Sequence, residues 1–321
     1  MSQAAATPVL TGRSGSDSRS FPARFWKSFR RFCTQKKVGA FGLAITLFIV
    51  VIAVIGPAIV PYDKDQTFDR PNPKFDINSF DREALSPTTL DRLSGPSADH
   101  WLGTDDKGRD MLTRIILGAR LSLQVGIAAS ALATILGATI GIVSGYVGGL
   151  FDLLVQRLVD AAIAIPGTLF LLLLLQTSQP SKTTTISALT VLGIFGASRL
   201  VRSAVLAIRN DVYIQAARSV GASAPRIMVR HVLPNVAAPL LVVFTIQIGG
   251  NILAESGLAF LGLGVPGPSW GQMVATSRTF VDSKPLMSIF AGGAITLTVL
   301  GLNLLGDALR DWFDPRQRGA K

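Results

Sequence analysis

Long stretches of apolar residues constrain this chain more than any other feature. Residues 39–60 contain no Asp, Glu, Lys or Arg, and about 20 apolar residues in a helix cross a hydrocarbon core of about 30 Å. Backbone groups in lipid must find hydrogen-bond partners within the protein, which favours helices. Predominantly apolar stretches recur at residues 121–145, 158–176, 186–207, 237–263 and 286–305. The sequence therefore predicts an all-α polytopic membrane protein with six transmembrane helices.

The charge balance supports a membrane location and argues against nucleic acid as a partner. The chain of 321 residues has 31 Lys and Arg against 20 Asp and Glu, a formal net charge of +11. The basic residues cluster beside apolar spans, as the positive-inside bias predicts. Near the end of residues 1–37 they alternate with Phe and Trp, which predicts a segment that lies on anionic lipid. Cys33 is the single cysteine, so an internal disulfide and cysteine-based metal sites are excluded.

The spans divide the chain into five parts. We expect a cytoplasmic basic tail at residues 1–37, a first transmembrane helix at 38–60, an extracytoplasmic insert at 61–117, a five-helix core at 118–306 and a cytoplasmic tail at 307–321. The first helix is too long for the apolar region of a signal peptide, so we interpret it as a retained anchor. Within the insert, residues 109–117 are predicted to form an amphipathic helix on the outer membrane surface.

Small residues within the spans predict close helix packing, and a proline predicts a kink. Gly137, Gly141 and Gly145 repeat every four residues, which lets another helix approach closely. Pro166 is predicted to kink the third span, and a membrane helix tolerates such a kink. Residues 146–157 are expected to form a short inner loop.

Two pairs of charged residues lie in or beside the third and fourth spans. Arg157 and Asp160 are one helical turn apart and are expected to pair with each other. Arg199 and Arg202 end the apolar part of the fourth span and are expected to extend to the inner membrane surface.

Residues 210–235 form a polar stretch between two spans. Tyr213, Ala217 and Val220 recur at i, i+4 and i+7, the spacing of one helical face. Gly221 can end that helix because it adopts a positive φ without a Cβ clash. The excess of arginine places the stretch on the cytoplasmic side.

A second short helix is predicted after Gly221. Ser223 can cap it, and Pro225 fits its first turn, where a missing N–H does no harm. Two short helices at an angle on a membrane surface indicate a docking element. On spacing alone, an ordinary interhelical loop is the simpler interpretation.

The stretch resembles the "EAA" loop of ATP-binding-cassette importer permeases, in which Glu-Ala-Ala, three residues, Gly and nine residues precede a hydrophobic–Pro signature. In that family the loop is the coupling helix, which sits in a groove of the ATPase subunit. Gln215 stands where the family usually has Glu, so any ion pair there becomes a neutral hydrogen bond, a loss of about 0–1 kcal/mol. The resemblance assigns coupling to Tyr213, Gln215, Ala216, Ala217, Gly221, Ala222, Arg226, His231, Pro234 and Asn235.

Three further segments resemble the dipeptide, oligopeptide and nickel branch of these permeases. They are H-x-L-G-T-D-x-x-G-R-D at residues 100–110, I-L-A-E-x-x-L-x-F-L-G-L-G at 252–264 and N-x-x-G-D-x-L-R-D-x-x-D-P-R at 303–316. The chain looks like the second permease of such a system. The resemblance implies a type I importer permease core behind an N-terminal anchor helix, in the bacterial inner membrane with both termini cytoplasmic.

The resemblance also implies partners. A homologous permease would complete a heterodimer, two ATPase subunits would bind ATP and Mg, and an extracytoplasmic solute-binding protein would deliver the substrate. We expect import of dipeptides or oligopeptides by alternating access, with nickel or another small solute as the alternative. We expect this chain itself to bind no cofactor.

Gln247, Asn251 and Glu255 form a polar stripe at i, i+4 and i+8 along the otherwise apolar fifth span. An ionisable residue at membrane depth is a candidate for substrate or ion translocation. The alternative is that the stripe orients the helix, and the resemblance favours this second interpretation. An ion-coupled carrier that uses Glu255, Arg199 and Arg202 is the competing function, although charged pairs deep in several spans are lacking.

The sequence offers no credible catalytic or metal site. His100, Asp105, Asp106 and Asp110 are candidate metal ligands, but Lys107 and Arg109 lie among them and the spacing is not that of a hard-cation loop. Residues 262–267 satisfy G-x-G-x-x-G but end a membrane helix instead of joining a strand to a helix. A turn with an interfacial Trp270 is expected there. The chain has no phosphate-binding Gly-Lys-Ser/Thr loop, so an ATPase is not favoured. A lipid-modifying enzyme is not favoured either, because the sequence lacks a catalytic cluster.

Overall fold

The structure is a computed structural model that describes residue 30, residues 32–79 and residues 86–313. Most of the predicted basic tail and the last residues of the 303–316 motif lie outside this part of the chain. The helices are α1 (Lys37–Ile59), α2 (Met111–Val147), α3 (Gly149–Ile163), α4 (Gly167–Gln176), α5 (Lys182–Ile208), α6 (Val212–Ser219), α7 (Ala224–Ile227), α8 (Leu233–Phe260), α9 (Trp270–Ser277) and α10 (Pro285–Phe313). A π turn, Met228–Val232, joins α7 to α8, and a 3-10 turn, Arg278–Phe280, follows α9.

Among the described residues, five helices are long and apolar enough to cross a membrane: α1, α2, α5, the continuous α7–α8 segment and α10. The helices α3 and α4 meet the same criterion only as a pair, with a bend of 76° between them. The helices α2 and α5 run parallel, since Gly137 lies against Ala197 and Gly145 lies against Val205. The chain between two parallel spans must return across the bilayer, so α3 and α4 together form a broken sixth crossing.

This broken crossing differs from the predicted third span. Residues 149–157 are helical and belong to α3, so the expected inner loop is reduced to Gly148, which has a φ of +70°. Pro166 is not inside a kinked helix but stands at the N-cap of α4. Its ring and missing N–H prevent a continuous helix through residues 164–166. The result is a sharp change of direction within the membrane-spanning part of the chain.

Ion pairs fix α3 to the neighbouring helix α5. The Arg202 guanidinium donates from Nε and Nη2 to the two carboxylate oxygens of Asp152, with both distances 2.6 Å. Ser144 also donates to Asp152. Asp160 accepts from Arg199 Nη2 at 2.7 Å. Asp160 therefore pairs across helices with Arg199, so the predicted pairing of Asp160 with Arg157 was wrong. The expectation that Arg199 and Arg202 extend to the inner membrane surface stays a prediction.

Small residues allow α2 and α5 to pack along most of their shared length. A Cβ atom added to Gly141 would lie 2.5 Å from the carbonyl oxygen of Ser198, and one added to Gly137 would lie 2.6 Å from Ala197 Cβ. These contacts confirm the close approach predicted from the glycine repeat. The same two helices enclose a buried cluster that includes Ala138, Ile142, Val201 and Val205.

The two ends of the described chain lie at the same end of the helix bundle. The Lys36 ammonium forms a 2.8 Å ion pair with Asp311 near the end of α10. The rings of Phe32 and Trp312 are 5.6 Å apart in an edge arrangement. The antiparallel pair α1–α10 therefore brings the beginning of α1 next to the end of α10.

The insert between α1 and α2 is small and contains little regular structure. Strand β1 (Asp69–Pro71) pairs antiparallel with β2 (Thr88–Leu90). Its last residues, 109–117, do not form a separate surface helix, because α2 begins at Met111 and continues to Val147. Asp110 caps this helix by accepting from the Thr113 N–H at 2.7 Å. Likewise α10 continues to Phe313, so the first part of the expected C-terminal tail is helical.

Replacing Gly141 by valine should weaken the α2–α5 contact. The new side chain would meet backbone atoms of α5, which have little freedom to move. Overpacking of this kind costs about 1–3 kcal/mol of unfolding free energy, which thermal melting of the purified protein in detergent can measure. The matched control is Gly250→Val, since a Cβ at Gly250 meets no heavy atom within 4 Å. Equal melting temperatures for the two variants would show that close packing is not what these glycines provide.

Asp152→Asn should destabilise the protein more than Asp160→Asn. The Asp152 side chain is 10% exposed and its partner Arg202 is 30% exposed, so the substitution leaves a partly buried cation without its carboxylate, at a cost of about 1–3 kcal/mol. Arg199 and Asp160 are 59% and 41% exposed, and such pairs contribute about 0–1 kcal/mol. Thermal melting of both variants gives the comparison. A larger loss in Asp160→Asn would contradict it.

Candidate functional site

The helix α6 lies at the start of the polar stretch between α5 and α8. This helix ends at Gly221 with a specific hydrogen-bond pattern. The Gly221 N–H donates to the Arg218 carbonyl at 2.9 Å, and the Ala222 N–H donates to the Ala217 carbonyl at 3.0 Å. Gly221 has a φ of +80°. These two bonds and the left-handed glycine form a Schellman motif. The prediction that Gly221 ends the helix at positive φ is confirmed.

The buried face of α6 is formed by Ile214 and Ala217. They pack with Val205, Ile227 and other apolar residues of the cluster beneath α6. Val220 is 84% exposed and Tyr213 is 39% exposed. Of the three residues with i, i+4, i+7 spacing, only Ala217 is therefore buried. Ile214 was missed, although its i+3 relation to Ala217 is also a helical signal.

The predicted second helix is the first part of a long span. The helix α7, the π turn and α8 form one continuous element, Ala224–Phe260. Pro225 lies in the first turn of α7 as predicted, whereas the Ser223 side chain makes no capping hydrogen bond. The π turn directly precedes Pro234, whose missing N–H and ring disfavour a regular α-helical turn at this point. The bond from the Leu233 N–H to the Met228 carbonyl closes this wider turn.

The outer surface of the α6–α7 element is exposed and partly apolar. Val212 and Val220 are 83% and 84% exposed. Gln215, at the position where the resembled motif has Glu, donates to the Asn210 carbonyl at 2.8 Å. Exposed apolar residues on a polar segment are typical of interaction surfaces.

The Tyr146 ring connects this surface to α2. Arg218 Nε donates to Tyr146 Oη at the end of α2 at 3.2 Å, and the guanidinium carbon lies 4.9 Å from the ring centroid. This contact was not foreseen from the sequence. Burial, followed by the nearby Asp211 carboxylate, raises the pKa of the Tyr213 phenol, so this hydroxyl remains a neutral donor at physiological pH.

The remaining predicted coupling residues differ in exposure. Four of them are exposed: Ala216, Arg226, Pro234 and Asn235. Two are partly buried: Ala222 and His231. Asn235 donates to the His231 carbonyl at 2.7 Å. Exposed residues therefore lie on both sides of the π turn.

The polar stripe on α8 contacts neighbouring helices. Gln247 donates to the Gly193 carbonyl of α5 at 3.3 Å, and Asn251 donates to Ser130 Oγ of α2 at 2.9 Å. Glu255 is fully buried and accepts from Ser122 at 3.3 Å and from Ser269 at 2.9 Å. Each member of the stripe therefore connects α8 to another part of the bundle, which favours the architectural interpretation.

Trp270 is not at a membrane interface, contrary to the prediction. It is 1% exposed, begins α9 and donates from its indole nitrogen to the Ile115 carbonyl at 2.9 Å. Gly118 lies beside the indole, where a Cβ atom would approach Trp270 Cδ1 to 2.8 Å. The ring therefore fills the core between α2, α8 and α10 instead of facing lipid.

Asp105 and Asp110 of the 100–110 segment are engaged in internal contacts, whereas Oδ1 of Asp106 is buried without a hydrogen-bond partner. Asp105 accepts from the backbone N–H groups of Lys107 and Arg109 and from the Arg109 side chain. His100 Nδ1 lies 3.0 Å from Asp110 Oδ1, and the His100 ring packs against Phe68 at 4.4 Å. No cluster of three or more ligating side chains suited to a metal ion occurs within residues 32–79 and 86–313. The segment therefore packs against the rest of the insert and caps the start of α2.

The comparisons with known proteins agree with this architecture. Residues 137–319 match the model of the binding-protein-dependent transport system inner membrane component family, and residues 23–78 match the N-terminal transmembrane domain of oligopeptide transport permease C. A solved structure of the MetNI methionine ABC transporter has a similar fold, with a TM-score of 0.53 and 18% identity over 63% of this chain and 97% of that one.

Three curated relatives match nearly the whole chain. The dipeptide transport permease DppC of Alkalihalophilus pseudofirmus is 38% identical over 91% of this chain and 90% of its own length. The glutathione transport permease GsiD of Pectobacterium atrosepticum is 36% identical over 91% of each chain. The oligopeptide transport permease OppC of Bacillus subtilis is 34% identical over 91% of this chain and 90% of its own. The chain therefore belongs to the family of binding-protein-dependent transport system inner membrane components and is a multi-pass membrane permease.

Proposed function

We propose that this chain is a permease subunit of an ATP-driven importer of dipeptides or oligopeptides, and that the α6–α7 element docks on a separate ATPase subunit. The names of the three relatives support peptides as the substrate class. The observation that carries the docking role is the exposed, partly apolar surface of an element whose buried face is fixed to α2 and α5.

The proposed mechanism transmits movement of the ATPase to the spans. Ile214 and Ala217 pack in the same cluster as Val201 and Val205 of α5, and α7 continues into α8. A displacement of the docked surface therefore moves α5 and α8 together. Alternating access then follows when the bundle rocks against a second permease. ATP and Mg would bind to the ATPase partners, and this chain would bind no cofactor.

We infer the orientation of the chain in the membrane from its charge distribution and its fold. Between Asp211 and Glu255 the chain has no acidic residue but contains Arg218, Arg226 and Arg230, so the positive-inside bias places α6 and α7 in the cytoplasm. Six crossings and the adjacent ends of α1 and α10 support the proposal that both termini are also cytoplasmic. The opposite face, with the 61–110 insert, would receive the solute-binding protein.

The first test is co-purification in mild detergent after expression with the neighbouring genes. The proposal predicts that a homologous permease and two ATPases with phosphate-binding loops are recovered with the tagged chain. Purification of the chain alone, as a stable oligomer that takes up peptide in vesicles without ATP, would contradict it.

Gly221→Val should uncouple peptide uptake from ATP hydrolysis. A Cβ at Gly221 meets no heavy atom within 4 Å, so the substitution acts only by disfavouring the φ of +80°, by about 1–2 kcal/mol. We expect the amount of protein in the membrane to be unchanged and uptake per ATP hydrolysed to fall about tenfold. Gly221→Asn is the matched control, because Asn tolerates positive φ. Normal uptake in Gly221→Val would refute the role of this turn.

Glu255→Gln should leave peptide uptake nearly unchanged. The amide keeps two polar atoms for Ser122 and Ser269 but cannot exchange a proton. Glu255→Leu, which removes both acceptors and leaves the two hydroxyls unpaired, should lower the unfolding free energy by about 1–3 kcal/mol. Uptake that collapses in Glu255→Gln and depends on membrane potential in the parent protein would instead support an ion-coupled carrier.

A further inference from the structure

A cavity between α5, α8 and α10 begins at the end of the bundle that carries α6 and α7. Its volume is about 640 Å³, within the range of about 300–1,000 Å³ that is typical of ligand pockets. Its wall extends from Asn235, in the first turn of α8, to Gln247, which is roughly 18 Å further along the helix axis. A hydrocarbon core is about 30 Å thick, so the cavity reaches the middle of the spans.

The wall of this cavity is mostly apolar and contains a few polar side chains. The apolar part comes from all three helices and includes Leu200, Val242, Ile246 and Phe313. Three polar residues also line the cavity: Asn235, Gln247 and Arg310. An apolar wall with a few placed polar groups is the usual pattern of a site that binds a small molecule.

Arg310 supplies a cation that has no acidic partner in the described structure. It lines the cavity and is exposed, and it forms no ion pair within residues 32–79 and 86–313. The acidic residues closest to it in α10, Asp307 and Asp311, line a different cavity beside the start of α1. Arg310 is therefore available to an anion that enters the cavity between α5, α8 and α10.

Gln247 makes the inner part of the wall unsuitable for a lipid chain. Its Nε2 donates to the Gly193 carbonyl at 3.3 Å, whereas its Oε1 has no hydrogen-bond partner among the described residues. Polar side chains at membrane depth face the interior of a bundle or a water-filled cavity. The amide at this depth therefore favours a polar occupant over an acyl chain.

The distance between Arg310 and Gln247 fits a short peptide. The helices α8 and α10 are consecutive crossings and therefore antiparallel, and Gly306 of α10 lies against Ile246 of α8. Arg310, one turn after Gly306, is thus level with the turn of α8 before Ile246, and Gln247 lies roughly 7.5 Å from that level along the axis. Two residues of extended chain span about 7 Å.

We propose that this cavity holds the transported di- or tripeptide before its release, and that Arg310 binds the C-terminal carboxylate. The inner residue of the peptide lies beside Gln247, and the apolar wall accepts side chains of different sizes. Every unmodified peptide has a terminal carboxylate whatever its sequence, so one unpaired arginine can recognise the whole class. A guanidinium suits this role because it donates two parallel hydrogen bonds to a carboxylate. This assignment rests on the proposed function, which makes peptides the substrate and this end of the bundle cytoplasmic.

Equilibrium binding to the purified permease–ATPase complex, without the solute-binding protein, tests the role of Arg310. The ligands are radiolabelled alanyl-phenylalanine and its C-terminal amide. The parent complex should bind the free acid about 30-fold more tightly than the amide, as expected for hydrogen bonds to a charged group.

Arg310→Gln should bind the free acid and the amide with equal, weak affinity, and Arg310→Lys should keep part of the preference. The matched control is Arg157→Gln, which removes an exposed arginine of α3 outside the cavity and should keep the full preference. A merely structural role of Arg310 would weaken both ligands without changing their ratio. A ratio that is unchanged in Arg310→Gln, or a parent complex that does not distinguish the two ligands, would overturn the proposal.

A second pair of variants tests the cavity itself. Gly196 lines it, and a Cβ there meets no heavy atom within 4 Å, so Gly196→Leu fills space that the peptide would occupy. This variant should weaken binding of the dipeptide about tenfold through overpacking. Gly257→Leu is the matched control, because Gly257 is equally open but lies outside the cavity wall. Equal binding by the two variants would contradict the proposed position of the peptide.

Photo-crosslinking identifies the occupant independently of affinity. A photo-crosslinking residue in place of Leu200, which lines the cavity, should capture the labelled dipeptide, and excess unlabelled dipeptide should prevent the capture. Capture of the second permease instead would overturn the proposal and assign the cavity to the permease interface. Failure of the binding assays in a complex that still contains both ATPases and imports peptide would refute the site alone. Absence of ATP-dependent peptide uptake by the parent complex would refute the proposed function and the site together.

Discussion

The close contact between the parallel helices α2 and α5 supports most of the structure. Glycines on α2 allow the backbones to approach until a Cβ at Gly141 would touch a carbonyl of α5. In lipid there is little hydrophobic driving force between helices, so small residues and close packing provide the attraction. Because the two helices are parallel, α3 and α4 must cross the bilayer between them, and the break at Pro166 belongs to that crossing.

The same helix pair positions the surface on which function is proposed to depend. The ends of α2 and α5 form a cluster with Ile214, Ala217 and Ile227, so the α6–α7 element rests on a packed base. Gly221 sets the angle between the two short helices through its left-handed backbone. The continuous π turn connects α7 directly to a span. A rigid connection of this kind is what transmission of movement across a membrane interface requires.

Polar groups within the bundle are used to connect helices. Asp152 and Arg202 pair through two hydrogen bonds, and Glu255 is satisfied by two serine hydroxyls. Burial of a charged or polar group in an apolar surrounding is costly unless partners satisfy it. These contacts therefore require a defined arrangement of α3, α5 and α8, and a displaced helix would leave unpaired groups in the membrane.

The sequence by itself determined the number of crossings, the position of the polar stretch between α5 and α8 and the turn at Gly221, because apolar length and glycine backbone freedom are local properties. Only the tertiary structure decided which charges pair: Asp160 joins Arg199 of another helix and not Arg157 of its own. It also decided that Ile214 is buried while Tyr213 and Val220 are exposed, and it placed Trp270 in the core instead of at an interface. These outcomes depend on which neighbouring helix covers a given face, and a periodic pattern in one segment carries no information about that neighbour.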